Sequence, residues 1–184
     1  MVLYIDACVR KNSRTRRLAD CLLNTLNAPY TRLRLEECVF PTVDEAFLEK
    51  RDRLLREGDF DNPVFAYARQ FAQADEIIIA APFWDLSFPA VLKSYLEQIN
   101  VVGITFRYTP EGIPEGLCRA ERLYYVTTAG GDFFPEQYGF GYIQALAQNL
   151  YHIKDVKLIK ATGLDIEGAP VEKILQDCEE KIRR

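Results

Sequence analysis

The chain reads as a three-layer α/β sandwich on a parallel sheet of about five strands in the order 2-1-3-4-5. Three observations predict it. Apolar runs such as Val2–Ile5 and Ile77–Ala81 lack polar alternation, as strands buried on both faces do. They alternate along the whole chain with segments of helical periodicity, which implies right-handed crossovers between parallel strands. With 184 residues, 48% hydrophobic and 27% charged, and no repeat or Pro/Gly/Ser-rich linker, the chain fits a single soluble domain, 1–184. A fragment of a dinucleotide-binding sheet is the competing architecture. In both, ligands bind at the carboxyl ends of the strands, near the switch point.

Each element has a local reason. After the first strand, Leu18, Leu22 and Leu26 share one helix face with Cys21 beside it. Leu33 and Leu35 alternate with Arg32 and Arg34, which predicts a second strand over Tyr30–Leu35. "VDEAFLEKRDRLLREG" is a charged, solvent-facing helix closed by Gly58, and from about Pro63 the next helix places Val64, Tyr67, Ala68 and Phe71 at core spacing. "EIIIAAP" is the third strand. Ser87 as cap and Pro89 in the first turn predict the helix that follows, with Val91, Tyr95 and Ile99 in one stripe. "ITFRYTPEGIPEG" reads as a short extended excursion, "RLYYVTTAGGD" as a strand ending in a glycine loop, and Tyr142–Leu150 as a helix. "DVKLIKATG" is the last strand. The final helix, from Pro170, turns Val171, Ile174, Leu175, Cys178 and Ile182 inward.

Charge and composition exclude several classes. A formal charge of −4 offers no footprint for nucleic acid and no basic face for an anionic membrane. Cys8, Cys21, Cys38, Cys118 and Cys178 contain no C-x-x-C pair, so neither zinc nor a dithiol couple is indicated, and no metal is expected. Reduced thiols, a strand-like N-terminus and no long apolar run make a cytoplasmic, soluble protein the expectation.

Three post-strand loops carry candidate chemistry. "DACVRKNSRT" lacks G-x-G-x-x-G and the P-loop motif, yet ends in Ser13-Arg14-Thr15 at a helix start. Unpaired N–H groups there, with two hydroxyls and an arginine, would cradle a phosphate; plain N-capping by Asn12 or Ser13 accounts for the same residues. "APFWDLSFPA" places Phe83 and Trp84 on a turn, either as core or subunit contacts or as a shield beside a planar heteroaromatic ring. In "TTAGGD", Gly130-Gly131 allows close backbone approach, or simply a left-handed turn, and Thr127 or Thr128 can donate a hydrogen bond.

From Pro82 through the following helix, the run Gly103-Ile104-Thr105-Phe106-Arg107-Tyr108, Gly112 and Pro114-Glu115-Gly116-Leu117, and then Thr127–Asp132, resemble the flavodoxin-like FMN-dependent NAD(P)H oxidoreductases. That family includes quinone reductases and bacterial NADH-azoreductases, and the resemblance covers nearly the whole chain. It implies FMN held noncovalently in a homodimer, with Ser13, Arg14 and Thr15 at the phosphate and Cys8 and Arg10 nearby. Pro82, Phe83, Trp84, Asp85 and Leu86 would follow the ribityl chain and ring edge, and Thr128, Ala129, Gly130 and Gly131 the pyrimidine side. Cys8 stands where the family often has serine, and Trp84-Asp85 where Tyr-Asn is commoner. The second change is neutral if Asp85 uses only its backbone N–H, whereas a carboxylate facing the ring would disfavour the anionic reduced flavin and lower the reduction potential.

The implied cycle is ping-pong: NADH or NADPH delivers hydride to the flavin, then a quinone, azo or related aromatic acceptor takes its place. It asks for no protein acid or base in its first half, and the lone His152 reads as a surface or helix-end residue. Phe106, Tyr108, Phe133, Phe134 and Tyr138 are candidates for an acceptor pocket or for dimer contacts. "DFFPEQYGFGY" is expected to be a mobile, substrate-selecting segment. A flavodoxin-like electron carrier without NAD(P)H turnover is the alternative. A phosphatase is disfavoured because Cys8-Val9-Arg10 is too short for a cysteine-type phosphate loop.

Overall fold

The computed structural model describes residues 1–184. In chain order the strands are β1 (Val2–Asp6), β2 (Tyr30–Arg34), β3 (Glu76–Ala80), β4 (Phe106–Tyr108), β5 (Pro114–Gly116), β6 (Arg122–Thr128) and β7 (Asp155–Ala161). The α-helices are α1 (Arg14–Leu26), α2 (Glu45–Glu57), α3 (Ala66–Gln73), α4 (Ala90–Ile99), α5 (Phe140–Asn149) and α6 (Val171–Arg183). Five strands form one parallel sheet in the order β2-β1-β3-β6-β7. Counting only these five, this is the predicted order 2-1-3-4-5. Every carboxyl end of the sheet faces the same edge.

Because side chains alternate across a strand, the sheet has two distinct faces. Leu3, Ile5, Ile77, Ile79, Leu123 and Tyr125 pack with α3, α4 and α5, burying Phe71, Tyr95, Ile99, Ile143 and Ala147. Val2, Tyr4, Ile78, Ala80, Tyr124 and Val126 pack with α1 and α6 through Leu18, Leu22, Leu23, Leu175 and Cys178. Burial on both faces explains why β1 and β3 read as continuous apolar runs. By contrast α2 buries only Leu54, as its charge pattern predicts, and ends at Gly58 in the left-handed region (φ 72°).

Local details depart from expectation. Ser87 does not cap α4; the capping position is Pro89, and the Ser87 hydroxyl donates instead to the Tyr138 carbonyl at 2.8 Å. Helix α5 begins at Phe140, two residues before the predicted Tyr142. The turn before α3 buries Phe65 completely and leaves Val64 at the margin.

The excursion between α4 and β6 is a true hairpin, β4 paired antiparallel with β5. Its root is Thr105, fully buried, whose hydroxyl donates to the Ile99 carbonyl (2.7 Å) and accepts from the Val101 amide (3.2 Å). Gly116 seats β5 against the chain after α5: a Cβ there would lie 2.2 Å from the Tyr151 carbonyl carbon. No helix is long and apolar enough to cross a membrane.

Candidate functional site

The loops that follow β1, β3, β6 and β7 meet at the carboxyl edge around one cavity of about 370 Å³. Cys8, Val9, Arg10, Asn12, Ser13, Arg14 and Thr15 form one wall. Pro82, Phe83 and Trp84 form a second, and Thr128, Ala129 and Gly130 a third. Leu164 and Asp165 close the fourth side. Thus most of the predicted site residues converge, while Asp85, Leu86 and Gly131 lie outside the lining.

The first wall is a helix start. Ser13 caps α1, its hydroxyl oxygen accepting the Arg16 amide at 3.2 Å, which leaves the hydroxyl proton free to donate. The capping and anion-binding readings of Ser13 are therefore compatible. Thr15 is buried, with its hydroxyl 2.7 Å from that of Thr128, so the first and third loops are joined across the cavity floor. Thr128, and not its neighbour Thr127, faces the cavity; Thr127 is fully buried with its hydroxyl unpartnered.

Arg14 donates to an Asp165 carboxylate oxygen at 2.7 Å and to the Leu164 carbonyl at 3.1 Å. The pair is exposed and contributes about 0–1 kcal/mol, so an entering anion can draw the guanidinium away. Cys8 is buried. Desolvation, and more weakly the Asp6 carboxylate, push its thiol up to about 12, so it stands in the site as a neutral group.

The second wall is held by backbone and aromatic contacts. Trp84 and Ser87 exchange two backbone hydrogen bonds, Trp84 N to Ser87 O at 3.0 Å and Ser87 N to Trp84 O at 2.7 Å. Asp85 (φ 51°) and Leu86 (φ 67°) form the tip, both in the left-handed region. This is a tight mirror-image turn that usually calls for Asn-Gly. Asp tolerates it; Leu costs roughly 1–2 kcal/mol there. The amides of both tip residues donate to no other backbone group and project from the turn.

Gly130 is not in the left-handed region; a Cβ there would meet the exposed Asp165 carboxylate oxygen at 2.4 Å, so a larger residue has to displace that side chain. The segment expected to be mobile is tied down. Phe134 packs on Phe83 (ring centroids 4.5 Å apart), Lys160 pairs with Glu136 at 2.6 Å, and Thr162 donates to Asp132 at 3.2 Å. Its tip stays exposed, with Phe133 and Tyr138 facing solvent. His152 is exposed on a left-handed turn after α5 and takes no part in the cavity.

Four lining residues were not predicted: Val9, Asn12, Leu164 and Asp165. Val9 and Asn12 sit inside a loop already singled out. Leu164 and Asp165 follow β7, and in an all-parallel sheet that loop must share the edge with the others; the signal was "ATGLD" itself. The donor set fits FMN, with amides and hydroxyls for a dianion at one end and Phe83 and Trp84 for a flat ring at the other.

A family described as "Flavodoxin-like fold" matches residues 1–184. The chain is 34% identical over 193 aligned positions to an FMN-dependent NADH:quinone oxidoreductase of Clostridium beijerinckii, covering 99% of this chain and 96% of the relative. Among solved structures, an azoreductase from Bacillus anthracis superposes with a TM-score of 0.85 at 22% identity, covering 99% of this chain and 96% of that one. A B. anthracis FMN-dependent NADH-azoreductase in complex with FMN gives 0.82 at 20% identity, over 99% and 95%. These two structures speak for the fold, and the full-length match and the clostridial relative for the kinship. The chain belongs to the flavodoxin-like family that includes the FMN-dependent NADH:quinone oxidoreductases.

Proposed function

We propose that this chain is an FMN-dependent NADH:quinone oxidoreductase, able also to reduce azo and related conjugated acceptors by a ping-pong cycle. The observation that carries this reading is one cavity that joins an amide-rich helix start to an aromatic wall. The relative from C. beijerinckii bears that activity in its name. When bound, FMN supplies hydride acceptance and donation at its N5.

The chain's own residues bind and orient. The first amides of α1, with the hydroxyls of Ser13 and Thr15 and the side chain of Arg14, hold the phosphate, with Cys8 and Arg10 beside it. Pro82, Phe83 and Trp84 take the ribityl chain and shield one edge of the ring from water. Thr128, Ala129, Gly130 and Gly131 border its pyrimidine side. At the turn tip the free Asp85 amide is the donor for the reactive edge, and Leu86 flanks it. With the hydride chemistry supplied by the flavin, no cavity side chain would have to move a proton in the first half-reaction.

The reading also makes the protein a cytoplasmic homodimer. Its second copy would cover the exposed Phe133 and Tyr138 and the hairpin's Tyr108 and Ile113.

The purified protein is expected to be yellow, to bleach on anaerobic addition of NADH, and to oxidise NADH steadily once a benzoquinone is supplied. NADPH assayed in parallel fixes the donor. Flavin uptake without quinone-dependent turnover would make it an electron carrier. A protein that takes up no FMN overturns the reading.

A further inference from the structure

Asp6 is the last residue of β1, and its side chain is wholly inaccessible to solvent. A buried carboxylate needs partners, and both oxygens have them. One accepts the Cys8 amide at 3.0 Å, and the other accepts Nε of Arg16 at 2.8 Å. Arg16 sits in the first turn of α1 and is itself nearly buried. Its remaining donors turn toward the loop between β1 and α1. Nη1 bonds the carbonyls of Arg10 (2.8 Å) and Lys11 (3.2 Å), and Nη2 bonds the carbonyl of Cys8. Glu36, in the turn after β2, lies 3.8 Å from Nη2.

This arrangement has a consequence for the opposite side of the loop. In a trans peptide the carbonyl of one residue and the N–H of the next point in opposite directions. Drawing the carbonyls of Cys8, Arg10 and Lys11 onto one guanidinium therefore sends the amides of Val9, Lys11 and Asn12 the other way. None of those three amides donates to a backbone or side-chain acceptor of the chain. Val9 and Asn12 line the cavity. Outward amides gathered on one side of a loop form an anion-binding concavity, the same device that P-loops achieve with glycine.

We propose that the buried Asp6–Arg16 pair is a positioning device that builds the phosphate-binding loop in advance, by holding its carbonyls away from the cavity and its amides toward it. Neither side chain touches the ligand. Arg16 substitutes for the glycine-rich sequence this loop lacks: a fan of charge-assisted bonds enforces a conformation that "ACVRKNS" does not favour by itself. The proposal rests on FMN as the ligand, because it is the phosphate end that the loop would serve.

Comparing FMN with riboflavin, which has the same ring and ribityl chain but no phosphate, separates positioning from general damage. Dissociation constants for both are read by quenching of flavin fluorescence on apoprotein. Arg16→Lys keeps the charge beside Asp6 but cannot fan across three carbonyls. It is expected to weaken FMN about tenfold or more, with riboflavin changed less than about twofold and the circular dichroism retained. Asp6→Asn is expected to do the same. Equal weakening of both flavins, or no weakening, in a folded variant overturns the proposal.

If these variants do not fold, hydrogen exchange on wild-type apoprotein decides. The Cys8 amide, bonded to buried Asp6, is the reporter: slow exchange there without FMN, while the unbonded Val9, Lys11 and Asn12 amides slow only when FMN is added, supports a prebuilt loop. A Cys8 amide that exchanges freely and slows only with FMN refutes it. Wild-type protein that binds neither flavin refutes the functional reading, which is a different result.

Discussion

The two loops that face each other across the cavity solve the same problem by different means. The loop after β1 is shaped by charge: a buried carboxylate and a guanidinium hold its backbone from behind. The loop after β3 is shaped by its own backbone and by ring contacts, a two-bond turn at Trp84–Ser87 propped by Phe134 on Phe83. Removing one partner of a buried pair costs about 3–5 kcal/mol, whereas an aromatic contact is worth about 0.5–1.5 kcal/mol beyond its area. The loop after β1 is therefore the stiff side of the cavity, and the loop after β3 the adjustable one. On the proposed reading, this puts the FMN phosphate at the stiff side and the ring at the adjustable one.

Gly130→Val should break the contrast most severely. The new side chain displaces Asp165, releases Arg14 and fills the third wall, so the purified protein should be colourless and fail to take up FMN by absorbance titration. Replacing Ser13 and Thr15 together with alanine should raise the FMN dissociation constant roughly a hundredfold, from two lost bonds to a charged group. Loss of the cap should also lower stability by about 1 kcal/mol in urea unfolding. Unchanged affinity would show that the hydroxyls do not serve the phosphate.

At the adjustable end the expected effects are smaller. Leu86→Gly relieves a left-handed leucine and should stabilise the protein by about 1 kcal/mol, seen as a rise in Tm of roughly 2–4 °C. If acceptor turnover changes with it while FMN affinity does not, the tip is a determinant of acceptor choice. Smallest of all is the response to thiol reagents. With its thiol held near pKa 12, Cys8 should resist iodoacetamide at pH 8 by mass spectrometry, and FMN binding should be indifferent to the treatment. Its thiol also contributes to alkaline sensitivity. The folded state keeps a proton that the unfolded chain gives up near pH 9, so this contribution is lost as pH rises from about 9 towards 12.

Much of this was legible in the sequence, for reasons specific to particular residues. "VLYI" and "EIIIAAP" are apolar throughout because both faces of β1 and β3 are covered, and that pattern alone placed them inside a parallel sheet. Ser13, Arg14 and Thr15 were recognisable because helix starts have a chemistry of their own. What stayed hidden depends on conformation that residue type does not announce. Asp85 and Leu86 adopt left-handed angles without a glycine to signal them, and Ser87 gave up its expected capping role for the Tyr138 carbonyl. Gly130 looked like a turn residue, although its backbone is not left-handed and what crowds it is the Asp165 side chain. Asp6 was the most readable omission: a carboxylate ending an apolar strand, ten residues before an arginine in the next helix, invited a search for its partner.

The hairpin offers a separate lesson, about where the molecule tolerates change. Thr105 and Gly116 anchor it at its base, while at the far end Thr109 and Gly112 close a small turn whose residues Pro110–Gly112 all face solvent. Strain introduced at that tip has no packed route to the parallel sheet. A short epitope or a spectroscopic label inserted there would leave the sheet intact and report on whether a second copy covers the flanking Tyr108 and Ile113.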